Sequence, residues 1–487
     1  MKSISLIFIF CVLLFLNNGY CQSPGENAPN PYTVATYECA GLYWTTPKLG
    51  NCTVKYKTPA ESTWTQGLDL VYDERDGQYR GSIIGLEPDT EYQVELSNGQ
   101  AKTAMRFTTR NDQFPIGKIT RLPAGESTEP IIITESGTPE GYHLVTVPEN
   151  SRSLLNMGNI GNEGLQIDAD FVIVRGIEIR NAKVDGIRIK ENRHDIVIEQ
   201  CYITFWGRIG GPITYGNLEG STDSGINAEN GTWNLTIQRN LIEDPRGASN
   251  DWETGHPAGP QGITIRQSLG GNVIRYNDIL STEDHGFNDG IGGGANYSNA
   301  GNMNRDSDIY GNLIRSVWDD AIEVEGANMN VRVFGNYAHQ FFNGIATAST
   351  TKGPIYIYRN VVGESRVGHR NSSGGAFIKT GEREPFAGGR RYVFHNTVVQ
   401  PMGVSHAFSG HGISNTITRN NIFDVPGRLA ADRETVDNSD YDYDYFSGLS
   451  KGVAKEPNGI KFNTTPSATR LYRTSYSLEY YPRSRIK

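Results

Sequence analysis

Three aspartates stand at matching places in two neighbouring copies of a short motif, Asn288-Asp289-Gly290-Ile291 and Asp319-Asp320-Ala321-Ile322. If the copies lie on adjacent coils of a repeat structure, three carboxylates crowd within a few ångströms. Like charges that close raise the pKa of at least one carboxyl group, which leaves an acid beside a base. Cleavage of a glycosidic bond needs that pair. The sequence therefore predicts a polysaccharide-degrading glycoside hydrolase that acts through these aspartates.

A second set of residues suits β-elimination, in which a base removes a proton from a uronate and a cation stabilises the enolate that forms. Lys379 with an arginine or a histidine would fill both roles. Glu323 and Glu325 would lie on one face of a strand and could bind Ca²⁺ together with Asp320, since this cation takes oxygen ligands. A polysaccharide lyase acting on a uronate-containing or sulfated glycan is thus the alternative. Ca²⁺ is expected only for the lyase alternative. For the hydrolase we expect no cofactor and no metal.

The carboxylates fall inside a repeat that occupies most of the chain. In each copy, alternating aliphatic residues lead to an Asn, and another aliphatic residue follows. Successive copies are 25, 39, 37, 35, 24, 24, 36 and 24 residues apart, so the base period is 24. The period-2 pattern predicts strands, and strands that recur in this way stack as the coils of a solenoid. The predicted column, with its asparagines forming a ladder inside a turn, is Gly176, Cys201, Asn240, Asn277, Asn312, Asn336, Asn360, Asn396 and Asn420.

A second motif, centred on Gly-Ile or a close variant, recurs once in each coil and contains the candidate catalytic residues. Its aliphatic side chains would point inward, and its polar side chains would stack on the outer face about 4.8 Å apart. Residues far apart in sequence then become neighbours on one sheet. We therefore predict an all-β chain whose residues 115–445 form a right-handed parallel β-helix. The copies begin at Asp185, Ser224, Gln261, Asp289, Asp320, Asn343 and Gly374.

The extra residues of the longer copies, at about 202–222, 243–260, 280–288, 295–306 and 363–391, indicate where the site lies. Loops inserted at the same turn of successive coils rise as walls over one face, and function tends to lie in such loops. A third alternative is a non-catalytic carbohydrate-binding or adhesin β-helix, with Trp206, Trp252 and Trp318 as stacking platforms. His256 also lies in these loops. The residues that we expect to bind substrate are Arg266, Glu323, Glu325, His285, His369, Arg370 and Trp252.

The first 21 residues have the pattern of a signal peptide. Lys2 provides the positive start, residues 4–16 the apolar run, and Gly19-Tyr20-Cys21 the small-residue cleavage site. The run is short for a membrane span. We therefore expect a secreted protein, extracellular or periplasmic.

A small domain precedes the repeat. Residues 31–110 show short alternating runs, and residues 86–92 resemble the L-x-P-x-T-x-Y signature of fibronectin type III modules, small β-sandwiches in which the tyrosine packs against the backbone. Such modules are usually spacers or weak binding units. Cys39 and Cys52 could form a disulfide or remain buried thiols. Residues 425–487 lose the 24-residue period, and we expect residues 446–487 to form a C-terminal cap or tail.

Composition excludes some classes of protein. Apolar residues make up 37% and charged residues 20% of the 487-residue chain, which can therefore bury a core. The net charge of −9 is spread along the chain, whereas a nucleic-acid partner usually needs a basic face. We expect a monomer whose partner is a polysaccharide or oligosaccharide, with no nucleic acid and no membrane involved.

The motifs also resemble those of the polygalacturonases of glycoside hydrolase family 28, within the pectin-lyase-like β-helix superfamily. That family has N-T-D-G-I, D-D-C-I, G-H-G-I and R-I-K on successive coils, with three aspartates catalysing inverting hydrolysis. The resemblance implies that Asp320 is the general acid and that Asp289 and Asp319 activate water. The family's histidine is replaced here by Asn343, and its R-I-K by Phe377-Ile378-Lys379, which keeps the lysine.

Overall fold

The computed structural model describes most of the chain. The whole predicted signal peptide, together with His369 and Arg370, lies outside the described residues. Within the described part, no helix has the length and apolar character needed to cross a membrane. The described residues are 29–208, 223–247, 249, 252, 256, 259–366, 375–381, 383–400, 406–409, 414–425, 429–431, 438–447, 449–450 and 456–461.

Three long parallel sheets, here called sheets I, II and III, wind around one core and form the predicted right-handed parallel β-helix. Sheet I contains Ile116–Arg121, Tyr142–Thr146, Val172–Arg175, His194–Glu199, Trp233–Gln238, Val273–Arg275, Asp308–Tyr310, Val331–Phe334, Ile355–Tyr358, Arg391–Phe394, Thr416–Arg419 and Asp440–Tyr441. Sheet II contains Gly125–Ser127, Ser153–Asn156, Glu178–Arg180, Tyr202–Thr204, Leu241–Glu243, Asp278–Leu280, Leu313–Arg315, Tyr337–His339, Val361–Gly363, Thr397–Val399, Ile422–Asp424, Tyr445–Phe446 and Ile460–Lys461. Sheet III contains Ile131–Ile133, Glu163–Ile167, Asp185–Ile189, Ser224–Ala228, Gln261–Ile265, Ile291–Gly292, Asp320–Glu323, Asn343–Ala346, Ala376–Lys379 and His406–Ser409.

Two short elements complete the β-helix. A 3-10 helix spans Glu283–His285, in one of the predicted insertions. The strands Leu429–Ala431 and Leu449–Ser450 pair with each other near the C-terminus.

The core is built from aliphatic side chains stacked coil upon coil. In sheet III the isoleucine of each Gly-Ile motif pairs with the isoleucine of the next, and each is at most 1% exposed. Because one strand alone cannot bury its apolar face, the stacking makes each coil depend on its neighbours. This column therefore fixes the register of the polar residues beside it. Its members are Ile263, Ile291, Ile322, Ile345 and Ile378.

The predicted asparagine ladder is present, with a one-residue correction at each end. The amide Nδ2 of each ladder asparagine donates to Oδ1 on the next coil at 2.8–3.0 Å. The last asparagine is Asn421, not Asn420, because Asn420 has the positive φ of the residue that precedes the ladder position. Gly176 has the same conformation, so Ile177 takes the first place in the column. Asp444, whose carboxylate accepts from Asn421, ends the ladder.

The N-terminal residues form two four-stranded antiparallel sheets. The hydroxyl of Tyr92 accepts a hydrogen bond from the backbone N–H of Glu87 at 3.0 Å, the kind of contact expected of the signature tyrosine. The identification as a fibronectin type III module remains a prediction. One sheet contains Tyr32–Ala35, Cys39–Thr45, Gln78–Ile84 and Val71–Asp73, and the other contains Thr65–Gln66, Thr53–Lys57, Glu91–Ser97 and Lys102–Thr108.

This N-terminal domain is docked on the outer face of sheet I. The guanidinium of Arg332, 0% exposed, lies 2.6 Å from Asp308 and 3.8 Å from Asp306, and burial raises the pKa of Asp306 to about 6. From the N-terminal domain, Thr36 donates to Asp308, and Tyr43 donates to Asp306 at 2.8 Å. Buried ion pairs with additional hydrogen bonds hold one geometry, so this domain is a fixed part of the molecule and not a loose spacer.

All three cysteines of the described chain are buried free thiols. Cys39 lies in the interface between the N-terminal domain and sheet I, where its sulfur is 3.8 Å from the hydroxyl of Tyr358. Cys52 lies in the core of the N-terminal domain, and burial raises its pKa to about 12. The two thiols therefore occupy separate environments, and the disulfide alternative is not realised.

Candidate active site

Strand register brings the three aspartates together on sheet III. Ile291 pairs with Ile322, which places Asp289 beside Asp320 on the next coil. The backbone N–H of Asp320 donates to Oδ1 of Asp289 at 3.0 Å. Asp319 precedes Asp320, and one carboxylate oxygen from each of the three lies within 4.8 Å of the others. The repeat thus produces the predicted crowding of carboxylates.

Two of the three aspartates are strongly biased toward the neutral acid. Burial, followed by the negative charges of Glu323 and Asp320, raises the pKa of Asp289 well above its usual range. Burial and the charge of Asp320 do the same to the pKa of Asp319. Asp289 still accepts hydrogen bonds at both oxygens, the second from Asn288 at 2.9 Å. Oδ1 of Asp319 is buried and has no hydrogen-bond partner within the described structure.

Asp320 differs from Asp289 and Asp319 because its carboxylate is paired with a cation. The ammonium of Lys379 donates to Oδ2 of Asp320 at 2.5 Å, and the amide of Asn343 donates to Oδ1 at 2.9 Å. Burial raises the pKa of Asp320 above its usual range, but the Lys379 charge and both hydrogen bonds limit that rise. Lys379 lies two coils away and is aligned with Ala346 on the coil between. The small side chain of Ala346 leaves room for the lysine to reach back.

Two glutamates extend the cluster. Oε2 of Glu323 accepts hydrogen bonds from the backbone N–H groups of Gly293 and Gly294, each at 2.9 Å. A Cβ at Gly292 would lie 2.9 Å from the same oxygen, so the glycines allow Glu323 to pack against this turn. Glu325 is 0% exposed, and its Oε1 lies 3.2 Å from the Lys379 ammonium. Burial raises the pKa of Glu325 well above its usual range.

The calcium alternative requires Asp320, Glu323 and Glu325 to share a cation, and their oxygens do lie within 4.8 Å of one another. The ammonium of Lys379 already contacts Asp320 and Glu325. Although burial lowers the pKa of Lys379, the carboxylates outweigh that effect and raise it well above its usual range. The lysine therefore supplies the positive charge, and the donor set does not fit Ca²⁺ while Lys379 is present.

Two described residues of an insertion, Trp252 and His256, lie beside the aspartates. Nε2 of His256 lies 3.2 Å from Oδ2 of Asp319. Trp252 donates its indole N–H to the carbonyl of Trp318 at 2.8 Å and packs on the ring of Phe342 with centroids 4.7 Å apart. The predicted substrate-binding residue Trp252 thus lies beside the site. His256 was named only as a loop residue, because an insertion outside the Gly-Ile pattern gives no signal that it contacts Asp319.

Other predicted site residues lie away from the carboxylate contacts. Nε of Arg266 donates to Asn227 at 3.3 Å on the preceding coil. His285 donates from Nδ1 to the carbonyl of Pro245 at 2.8 Å and so ties two loops together. Trp206 is 0% exposed and stacks on Phe287 in the core, so it is not a stacking platform.

The comparisons with known proteins are distant. No family model matches this chain, and no curated protein matches it. An alginate lyase from Paenibacillus sp. FPU-7 is 12% identical over 61% of this chain and 84% of its own, with a TM-score of 0.36. A family 28 exopolygalacturonase from Yersinia enterocolitica is 12% identical over 90% and 97%, with a TM-score of 0.43. The tailspike protein of E. coli bacteriophage HK620, in complex with a pentasaccharide, is 11% identical over 66% and 61%, with a TM-score of 0.42.

Proposed function

We propose that this chain is a secreted enzyme that hydrolyses the glycosidic bonds of a polysaccharide at the cluster of Asp289, Asp319 and Asp320. The observation that carries the proposal is the division within the cluster. Asp319 has a strongly raised pKa and a carboxyl oxygen with no hydrogen-bond partner in the described part of the chain, whereas Asp320 is paired with an ammonium. Glycoside hydrolysis needs one carboxyl group that gives a proton and another that stays ionised.

The environments assign the roles differently from the family resemblance. Asp319 is the general acid, because it is biased toward the protonated form and its Oδ1 has no hydrogen-bond partner among the described residues. Asp320 is an ionised carboxylate, because Lys379 and Asn343 both donate to it. Asp289 lies beside Asp320, and one carboxylate oxygen of Asp289 lies within 4.8 Å of one carboxylate oxygen of Asp320. One water making two hydrogen bonds of about 2.8 Å can span that gap, so the pair is suited to activating water.

The state of Lys379 favours hydrolysis over elimination. A lyase base must be able to accept a proton at the working pH. The raised pKa of Lys379 keeps it a cation, and its ammonium is engaged by Asp320 and Glu325. Arg266 and His285, which were to assist it, hydrogen-bond elsewhere. The part of Lys379 in this proposal is to hold Asp320 ionised.

The test is a screen of the purified chain against acidic, sulfated and neutral polysaccharides, following reducing ends together with the ultraviolet absorbance of unsaturated uronates. New reducing ends without that absorbance support hydrolysis. Absorbance that rises with the reducing ends would replace the hydrolase by a lyase. Retained binding without any cleavage would support the carbohydrate-binding alternative.

Two variants separate the roles once a substrate is known. Asp319→Asn and Asp320→Asn should each lower kcat by about 10²–10⁴-fold, the usual contribution of an acid or base. On an aryl glycoside, whose leaving group needs little protonation, Asp319→Asn should recover most of its rate and Asp320→Asn should not. Asp278→Asn is the matched control, since burial raises the pKa of Asp278 to about 6 but the residue lies on sheet II. Equal losses on both substrates would contradict the assignment.

A further inference from the structure

Asp319 is almost sealed from water. Its side chain is 5% exposed, and it is faced by Asp289, Asp320, Glu323 and Lys379 from the coils of sheet III. A general acid must be protonated again after every turnover. A carboxyl group this buried needs a neighbouring group that exchanges protons with both the acid and solvent.

His256 connects Asp319 to solvent. Its Nε2 lies 3.2 Å from Oδ2 of Asp319, while its own side chain is 41% exposed. The ring of Trp252 packs against the imidazole with centroids 4.9 Å apart, and the indole N–H of Trp252 is fixed on the carbonyl of Trp318. The imidazole is thereby held with Nε2 on the buried carboxyl group and with part of its side chain exposed to solvent.

We propose that His256 is the proton relay that returns a proton from solvent to Asp319 after each cleavage, a role that rests on the proposed hydrolysis. Histidine suits this task because its ordinary pKa lies near neutral pH and its ring has two nitrogens. His256 acts through Asp319 and need not touch the sugar, so it is a positioning residue. It reaches the acid from an insertion loop, not from the repeat.

The proton balance is simple. After cleavage, Asp319 is a carboxylate, and protonated His256 passes its Nε2 proton to Oδ2. This gives a neutral acid and a neutral imidazole, and a solvent or buffer acid then protonates the ring. The proton that the Asp289–Asp320 pair takes from the attacking water leaves to solvent. One turnover therefore consumes one water and no net proton.

The test compares His256→Gln with the unmodified chain on the substrate found in the screen. Gln keeps a hydrogen-bonding side chain but does not carry a proton, so kcat should fall by about tenfold or more with little change in KM. Added imidazole buffer should restore kcat in the variant and leave the unmodified chain unchanged. His339→Gln is the control, because Nε2 of His339 lies 2.7 Å from a carboxylate oxygen of Glu364 but the residue lies on sheet II. An unchanged kcat, or a loss that imidazole does not relieve, would overturn the relay.

An independent measurement does not use activity. In an NMR spectrum, Asp319→Asn should change the chemical shifts of the His256 ring, because it replaces the carboxyl group that lies 3.2 Å from Nε2. Unchanged ring shifts would overturn the contact itself. If the unmodified chain cleaves no glycan, the proposed function fails and the relay fails with it. If it cleaves and only the His256 results are negative, the relay alone fails.

Discussion

Replacing Lys379 by methionine tests whether its ammonium holds the carboxylate cluster together. The ammonium lies 2.5 Å from Asp320 and 3.2 Å from Glu325, and its side chain is 20% exposed. At an effective dielectric constant of about 20, these contacts correspond to attractions of about 7 and about 5 kcal/mol. Desolvation offsets much of this attraction. Breaking a buried pair by removing one partner costs about 3–5 kcal/mol.

That cost predicts a measurable shift. The entropy of unfolding is about 2.1 cal/mol/K per residue, so the 487-residue chain loses roughly 1 °C of melting temperature for each kcal/mol. Lys379→Met should therefore melt about 3–5 °C lower near pH 8. Calorimetry or circular dichroism measures the shift. The control is Lys48→Met, whose ammonium lies 2.7 Å from Glu74 at an exposed site and should leave the melting temperature unchanged.

The pH dependence gives the sign of the effect. Carboxyl groups whose folded pKa is raised bind more protons in the folded than in the unfolded state between their ordinary range and the raised pKa. Such groups destabilise the fold at high pH, and the penalty disappears as the pH falls through the folded pKa. Losing the Lys379 charge raises these pKa values further, because that charge lowers the pKa of Asp320 and of Glu325. The difference between Lys379→Met and the unmodified chain should shrink from about pH 8 to about pH 5. A shift no larger than that of Lys48→Met, or one that grows at low pH, would refute the reasoning.

Three other predictions concern metal, ladder and domain contacts. Millimolar Ca²⁺ should raise the melting temperature of Lys379→Met but not of the unmodified chain, because the freed carboxylate oxygens can then bind the cation. Asn336→Ala removes four buried hydrogen bonds and should cost about 3–4 kcal/mol in denaturant unfolding, whereas Asn156→Ala, on an outer face, should cost much less. Arg332→Met should lower the free energy of unfolding by about 3–5 kcal/mol and expose the junction of the N-terminal domain to proteolysis. Adding Asp308→Asn should restore part of that loss. If the effects of the two substitutions simply add, the result would argue against their pairing.

The fold and part of the site could be predicted because both follow from the repeat. Once the Gly-Ile copies are aligned, the coil spacing alone places Asp289 and Asp320 on neighbouring coils of one sheet, with Lys379 two coils beyond Asp320. The ladder position was wrong by one residue for Asn420, since the sequence offers two adjacent asparagines and only the backbone conformation separates them.

The remaining contacts could not be predicted, because no period connects them. His256 reaches Asp319 from a loop whose path the repeat does not determine. Arg332 and Asp308 occupy outward positions of sheet I, which the alternating sequence pattern predicts to be solvent-exposed. The N-terminal domain buries both residues. Trp206 lies in an insertion by residue count, yet its ring enters the core. In each case the contact or the burial depends on a segment that is far away in the sequence.

The asparagine ladder has a consequence for how this protein can change in length. Each amide donates one hydrogen bond to Oδ1 of the following coil and one to a backbone carbonyl of the preceding coil, so a coil can be added or removed wherever the residues on both sides keep that pattern. Asn312, Asn336 and Asn360 are 24 residues apart. Removing one 24-residue coil would therefore still leave an asparagine followed by an asparagine in the ladder. Asp444 accepts but cannot donate, so growth past it needs a different residue there. Any groove along sheet III would therefore lengthen or shorten in steps of one coil, about 4.8 Å each.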